Sequence, residues 1–405
     1  MFKPTNRFAI GIAVLAPHSA GSPTWPETVS YVRNGVTRQE PAPQRYLAVD
    51  ASTAIVLNPT LSFSYAITHN FSLGAGFVWG IATVDFTTMT EALSPSAQDD
   101  FFGHQDVKAH ISAKDLFVPG FVIGAEWSPS SRVDLAAWYR YSDEIRSNVD
   151  LTLTSSNYLA GGAPNPNPCQ GQAQNCNVTS APAAGAIQIP VPMEAKLGMR
   201  YHQPLSTRVE RPGWAKHKPL IKDSLSQDRF DIEGDFTWSN DSAFDQIQLR
   251  FGSEACRNDP KCTNSGIPVK GTPGQVPVNG DIPHLWRDVL GIRIGSDVTA
   301  IPNRLALRLG GYFESKGQRD EYLNLDFDRS FKVGLTLGGT VRIGPADLHL
   351  AFAHTFFGTL DNSGNGSVRA LSGDATSGYR SQQAVNGGSL TASINEVAAA
   401  ATFRF

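Results

Sequence analysis

The stretch Phe331-Lys-Val-Gly-Leu-Thr-Leu-Gly-Gly-Thr-Val-Arg-Ile343, with Gly344-Pro345-Ala346 and the run 347–357 after it, decides the fold. In an extended chain, side chains point alternately to opposite faces. Phe331, Val333, Leu335, Leu337, Val341 and Ile343 therefore share one face, and Lys332, Thr336, Thr340 and Arg342 share the other. A Gly-Pro pair between two such runs marks a tight turn. The segment reads as a hairpin of long amphipathic strands.

The same period of two spreads outward from it. Leu305, Leu307, Leu309 and Phe313 alternate with Arg308, Tyr312 and Glu314. Phe71, Leu73, Phe77, Trp79 and Ile81 alternate with Ser72, Gly74, Gly76 and Gly80, and Val397 to Phe405 alternate with Glu396, Thr402 and Arg404. Helical periodicity is nowhere sustained. Twelve strands are expected, near 7–16, 45–66, 71–87, 106–128, 133–154, 188–202, 229–251, 284–299, 304–315, 328–343, 347–357 and 389–405. Many exceed the 5–6 residues or so usual in soluble sheets.

The connections carry as much information as the strands. Tight links at Thr68-His69-Asn70, 129–132, 300–303 and 344–346 alternate with long polar stretches near 17–44, 88–105, 155–187, 252–283, 316–327 and 358–388. Short turns on one side and long loops on the other are the pattern of an outer-membrane barrel. In lipid, backbone groups must be paired internally, so strands that are not helical have to close on themselves. The expected fold is one all-β domain over residues 1–405, a transmembrane antiparallel β-barrel. Segment 203–228 breaks the pattern, being long and basic where a short turn is due. A soluble sandwich or propeller would explain the alternation but not the strand lengths, the loop asymmetry or the terminal Phe405.

Composition agrees. The 405 residues are 41% hydrophobic and only 18% charged, with 37 Gly and 26 Pro, against about 25% charged on average. The longest clean apolar run, Phe8–Ala16, is too short for a membrane helix. A net charge of −3 gives no basic stripe for nucleic acid. The four cysteines fall into two local pairs, Cys169 with Cys176 and Cys256 with Cys262, both in long outward loops. Neither spacing suits a zinc knuckle, and two disulfide-closed loops are expected. Met1–Gly21 mimics a secretory signal, but its apolar run is short and contains Gly11. A strand ending at Pro17 is the rival reading.

Several segments resemble the FadL family of outer-membrane transporters for long-chain fatty acids and other hydrophobic compounds. Leu325-Asp-Phe-Asp-Arg-Ser330 leading into Val333–Gly338 is similar to the family's acidic approach to a Gly-rich strand. Trp286-Arg-Asp-Val289 with Leu290–Gly295, Pro192–Gly198, Phe236-Thr-Trp-Ser239 with Phe244, and Asn58-Pro59 through Phe77 match in order. The resemblance implies a fourteen-stranded barrel with an N-terminal hatch and a kinked third strand that opens a lateral gap. Arg7–Ala16 resembles the start of that strand, and Pro17 to Gly21 fall where the kink belongs. Pro cannot donate to the ladder and Gly tolerates the bend. On this reading a signal peptide, the hatch and two strands are missing from the sequence. A basic residue that helps bind ligand in the family falls at Thr87 or Thr88 here.

The expected function is passive uptake of fatty acids or other hydrophobic compounds, with lateral release. A general porin and an outer-membrane lipid hydrolase are the alternatives. Val78, Ala82 and Val84 are the lumen candidates, small apolar residues that suit a greasy conduit. Trp25 and Phe101-Phe102 offer an apolar landing site in the outer loops. No HExxH, GxSxG or Walker pattern occurs, and His349 and His354 lie on opposite strand faces. The stretch 361–366 resembles half a calcium loop, but its twelfth position is Ser372 rather than Glu. No catalytic residue, metal or cofactor is expected. The partners are a hydrophobic small molecule and outer-membrane lipid, bound by a monomer.

Overall fold

The computed structural model describes residues 2–19, 24–92, 106–130, 132–155, 183–205, 224–251, 267–269, 275–370 and 384–403. Both cysteine pairs, Gly21, Phe101-Phe102, Ser372 and Phe405 lie outside them.

In chain order the strands are β1 (Phe8–Ser19), β2 (Thr28–Arg33), β3 (Val36–Pro41), β4 (Asp50–Ala66), β5 (Phe71–Glu91), β6 (Asp106–Trp127), β7 (Val133–Ser142) and β8 (Ile145–Ser155). Then come β9 (Ala183–Ile189), β10 (Glu194–Pro204), β11 (Asp228–Ser239), β12 (Gln246–Phe251), β13 (Ile267–Pro268), β14 (Gln275–Val276) and β15 (Asn279–Pro283). The last are β16 (Val289–Ile301), β17 (Leu305–Glu314), β18 (Lys332–Ile343), β19 (Ala346–Phe357), β20 (Leu360–Asp361), β21 (Ser389–Leu390) and β22 (Ser393–Phe403). Sixteen of them form one antiparallel sheet; β2–β3, β13–β14 and β20–β21 are separate small pairs.

Sixteen segments stand where twelve strands are expected: the expected strands 133–154 and 229–251 are each broken in two, β9 lies mostly and β15 wholly in stretches expected as loops, and breaks separate them from β10 and β16. The breaks fall between β7 and β8, β9 and β10, β11 and β12, and β15 and β16. Pro190 and Pro192 withhold backbone donors at the second. A short 3₁₀ turn, Asp241–Ala243, fills the third. The upper segments then pair among themselves in the order β6-β8-β9-β12-β15, and the lower ones in the order β6-β7-β10-β11-β16. A belt of interrupted ladder thus crosses four neighbouring strands.

Polarity inverts at this belt. Below it, outward positions such as Leu197, Met199, Ile292, Ile294, Leu335 and Leu337 are exposed and apolar. Above it the apolar side chains turn inward: Val149, Leu151, Leu153, Ile187, Leu249 and Phe251 are buried in one cluster, while Arg146, Asn148 and Asp150 face out. The unbroken β6 makes the same change with a bulge. Its inward residues are Val107, Ala109, Ile111 and Ala113 above, but Val118 and Gly120 below, and Leu116-Phe117 oppose Ile81 between them. One extra residue shifts every later side chain to the other face. The lower segments and the last strands run 10 to 13 residues, close to the 9–11 or so that cross a bilayer as tilted strands.

The decisive hairpin is present as β18–β19, closed by Gly344 at φ +58°, a left-handed position that glycine occupies without strain. Gly334 serves differently. The Tyr312 ring from β17 fills the space where a Cβ would stand, and its hydroxyl shares a hydrogen bond with Thr355 Oγ1 at 2.6 Å. Gly334→Ala is expected to expel that ring and cost about 1–3 kcal/mol, read as a lowered urea midpoint of the folded band on unboiled gels; an unchanged midpoint would show the packing to be dispensable.

Candidate functional site: an apolar cavity in the lumen

Residues from far-separated strands of the sheet line a single cavity of about 480 Å³. Val56 and Val84 come from β4 and β5, Ile189 from β9, and Phe357 and Ile394 from β19 and β22 at the far end of the sheet order. The sheet therefore curls until its two ends face one another across a lumen. The cavity sits at the level of the belt, since the breaks themselves supply Pro190, Val191, Pro192, Phe244 and Trp286.

Its most rigid wall is aromatic. Phe244 and Trp286 stack at 4.3 Å between ring centroids, and Phe327 meets both edge-on at 5.9 and 6.1 Å. His284, fully buried, packs edge-on against Phe244 and reaches Asp326 Oδ2 through Nε2 at 2.8 Å. Arg329 lies over Trp286 at 5.5 Å and pairs with buried Asp241 at 2.8 Å. Asp326 and Arg329 of the 325–332 stretch are thus engaged with groups of the neighbouring breaks. Lys332 differs. Its ammonium lies 5.1 Å from the centre of the Phe357 ring, and among the described residues no carboxylate stands within ion-pair distance of it.

Of the lumen candidates, Val84 lines the cavity, and Ala82, buried in the apolar cluster, and Val78 follow below it on the same inward face of β5. Trp25 also lines the cavity rather than standing free as a landing site. Pro17 lies in β1 where the register slips between Leu15 and His18, and His18 and Ser19 just beyond it pair with the cavity residues Val56 and Ile55. Thr87 and Thr88 bond to His110 Nδ1 and the Tyr46 carbonyl.

The lumen below the cavity is not greasy, which corrects the reading from β5 alone. Inward faces of the lower segments carry Arg140–Glu194, Arg293–Glu314, Arg308–Asp297 and Arg342–Asp347 pairs at 3.2, 2.6, 2.9 and 2.7 Å. Near the turn side, His202 bridges Asp134 and Asp228, and Arg200 holds Asp231. His202, Asp228 and Asp231 place ligand-type atoms within 4.8 Å of one another, but these side chains are already tied to one another, to Asp134 and to Arg200.

Above the cavity sits a cap built from the long connections. Arg45, wholly buried, donates from Nε to Asp106 Oδ2 at 2.7 Å and from Nη1 to the Ala42 carbonyl at 3.0 Å. The Tyr46 hydroxyl donates to Asp106 Oδ1 at 2.6 Å; burial and that carboxylate push its phenol well above the ordinary tyrosine range. Asn386 donates to the carbonyls of Glu321 and Leu323 and accepts from Val368 N, while Asn362 accepts from Gly388 N. The stretch resembling a calcium loop is held this way, through Asn362.

The sequence matches the family described as Outer membrane protein transport protein (OMPP1/FadL/TodX) over residues 31–405. The chain belongs to that family. OMPP1/FadL/TodX proteins are outer-membrane β-barrels that transport, not enzymes. No curated protein matches the sequence. Among solved structures, the Ralstonia pickettii toluene transporter TbuX is 13% identical, with 98% of this chain and 78% of that one covered and a TM-score of 0.50. The TodX deltaS2S3 mutant monoaromatic hydrocarbon channel is 15% identical, with 98% and 79% covered at 0.50. The Pseudomonas putida toluene transporter TodX is 16% identical, with 86% and 73% covered at 0.48. At these identities TbuX and the TodX mutant speak for the shared OMPP1/FadL/TodX barrel.

Proposed function

We propose that the chain takes up hydrophobic compounds, hydrocarbons or long-chain fatty acids, through the luminal cavity and releases them sideways into the bilayer. The supporting observation is the vertical order of the lumen: an apolar cavity with an aromatic wall lies directly above inner faces crowded with ion pairs. An apolar molecule moving down would have to displace hydrated charges, which is costly. Moving past β1, where Ala16-Pro17 interrupts the register beside Val56, it meets acyl chains instead. No nucleotide or metal enters this scheme, since partition alone drives the flux. Lys332 favours a second cargo with a carboxylate head, because its ammonium offers a charge-assisted bond inside an apolar site.

The test is uptake by outer-membrane vesicles carrying the protein. Val84→Trp, which projects an indole into the cavity and narrows it, should lower uptake of both toluene and oleate while sugar flux stays at background. Brisk, size-limited sugar flux would sink the proposal in favour of a general porin. Lys332→Met should lower oleate uptake by about tenfold, the worth of one such bond, and leave toluene unchanged. Equal loss of both would remove the head-group role.

A further inference from the structure

Two rows of outward residues run across neighbouring strands of the lower barrel. One passes Tyr65, Leu73, Ala125, Ala137, Leu197 and Phe236; the other passes Phe63, Ala75, Ile123, Tyr139, Ala195 and Trp238. Each step is a direct register partner. Alanines at 75, 125, 137 and 195 hollow out the middle, and aromatic rings stand at both ends. The result is an outward groove of about 830 Å³ with almost no polar surface. Elsewhere the outward rows are filled: Leu309, Leu337, Phe352 and Val397 follow one another across β17, β18, β19 and β22.

We infer that this groove seats one acyl chain of a membrane phospholipid. The groove is continuous with the apolar outer face that the bilayer already covers, so its occupant arrives from the bilayer. Its shape selects among such occupants. Five steps at a strand spacing of about 4.8 Å give a slot about 24 Å long, and two rows two residues apart make it about 7 Å wide. That width admits a single methylene chain but excludes a helix about 10 Å across. With almost no polar surface along it, the groove makes no demand on a head group, which stays at the bilayer surface. The inference does not depend on which cargo the lumen carries.

Native mass spectrometry of the full chain, purified in mild detergent and washed with a delipidating one, tests this. Wild-type protein and Leu309→Phe, altered on a filled row, are expected to keep phospholipid through the wash. Ala125→Phe/Ala137→Phe should lose it while still migrating as a folded band on unboiled gels. Ala137→Leu, a milder filling, should show partial loss and keeps the test decisive where the double variant misfolds. Equal retention by all four proteins, or none by wild type, would overturn the inference. A crosslinked dimer abolished by the groove-filling variants would also overturn it, by giving the groove to a second copy.

Discussion

Arg45→Ala is expected to free the outer cap from the barrel rim, at a cost of about 3–5 kcal/mol for a buried ion pair that loses one partner. The guanidinium holds Asp106 at the top of β6, reaches the Ala42 carbonyl, and donates to the Tyr46 hydroxyl that also contacts Glu91. Without it, buried Asp106 loses the guanidinium that pairs with it while buried Glu91 stays joined to the same tyrosine hydroxyl. Amide hydrogen exchange over 42–49 should rise by orders of magnitude, while exchange in β17–β19 stays slow. Asp106→Leu combined with Arg45→Met should restore most protection, since removing both charges removes the desolvation penalty too. Unchanged exchange in Arg45→Ala would mean that the cap is held by its apolar cluster around Tyr46, Val49, Met89 and Val368.

Leu337→Arg should have a comparable effect for a different reason. Leu337 is 58% exposed at mid-height of β18, level with Leu309 and Phe352. A guanidinium there meets hydrocarbon and costs about 2–4 kcal/mol at the bilayer midplane. Asn148→Arg, outward on β8 above the belt, should stay within about 0.5 kcal/mol of wild type. Urea titration of the protein folded into lipid vesicles compares the two. Equal destabilisation would deny that the polarity change at the belt marks the membrane surface.

Most of the architecture was open to reading from sequence because its signal is local. Period-two alternation and the tight turns at 67–70 and 344–345 need only a short window, and β17, β18 and β19 appear close to their expected limits. The broken strands were not legible. Alternation continues on both sides of Asp143-Glu144 and of Asn240–Asp245, so a pattern search joins what the backbone separates. The segment β9 was absorbed into a loop because Ala183–Ile189 is short and rich in small residues. The cavity wall was hidden for another reason. Phe244, Trp286 and Phe327 stand in two breaks and one long connection, and only the curl of the sheet brings them together. The ion pairs of the lower lumen were visible as Arg308, Glu314 and Arg342, yet the single strand 71–87, poor in charge, pointed to a greasy conduit.

The belt has a consequence for where such a molecule can settle. A face that turns from oily to polar over one residue fixes the draught of the barrel, because sliding it up or down by a turn would strand Arg146 or Asp150 in hydrocarbon or leave leucines in water. A span of 10 to 13 tilted residues matches an ordinary bilayer, and hydrophobic mismatch in a thinner or thicker one costs a fraction of a kcal/mol for each ångström. The ledge of polarity thus acts as an address, sorting the protein by membrane thickness.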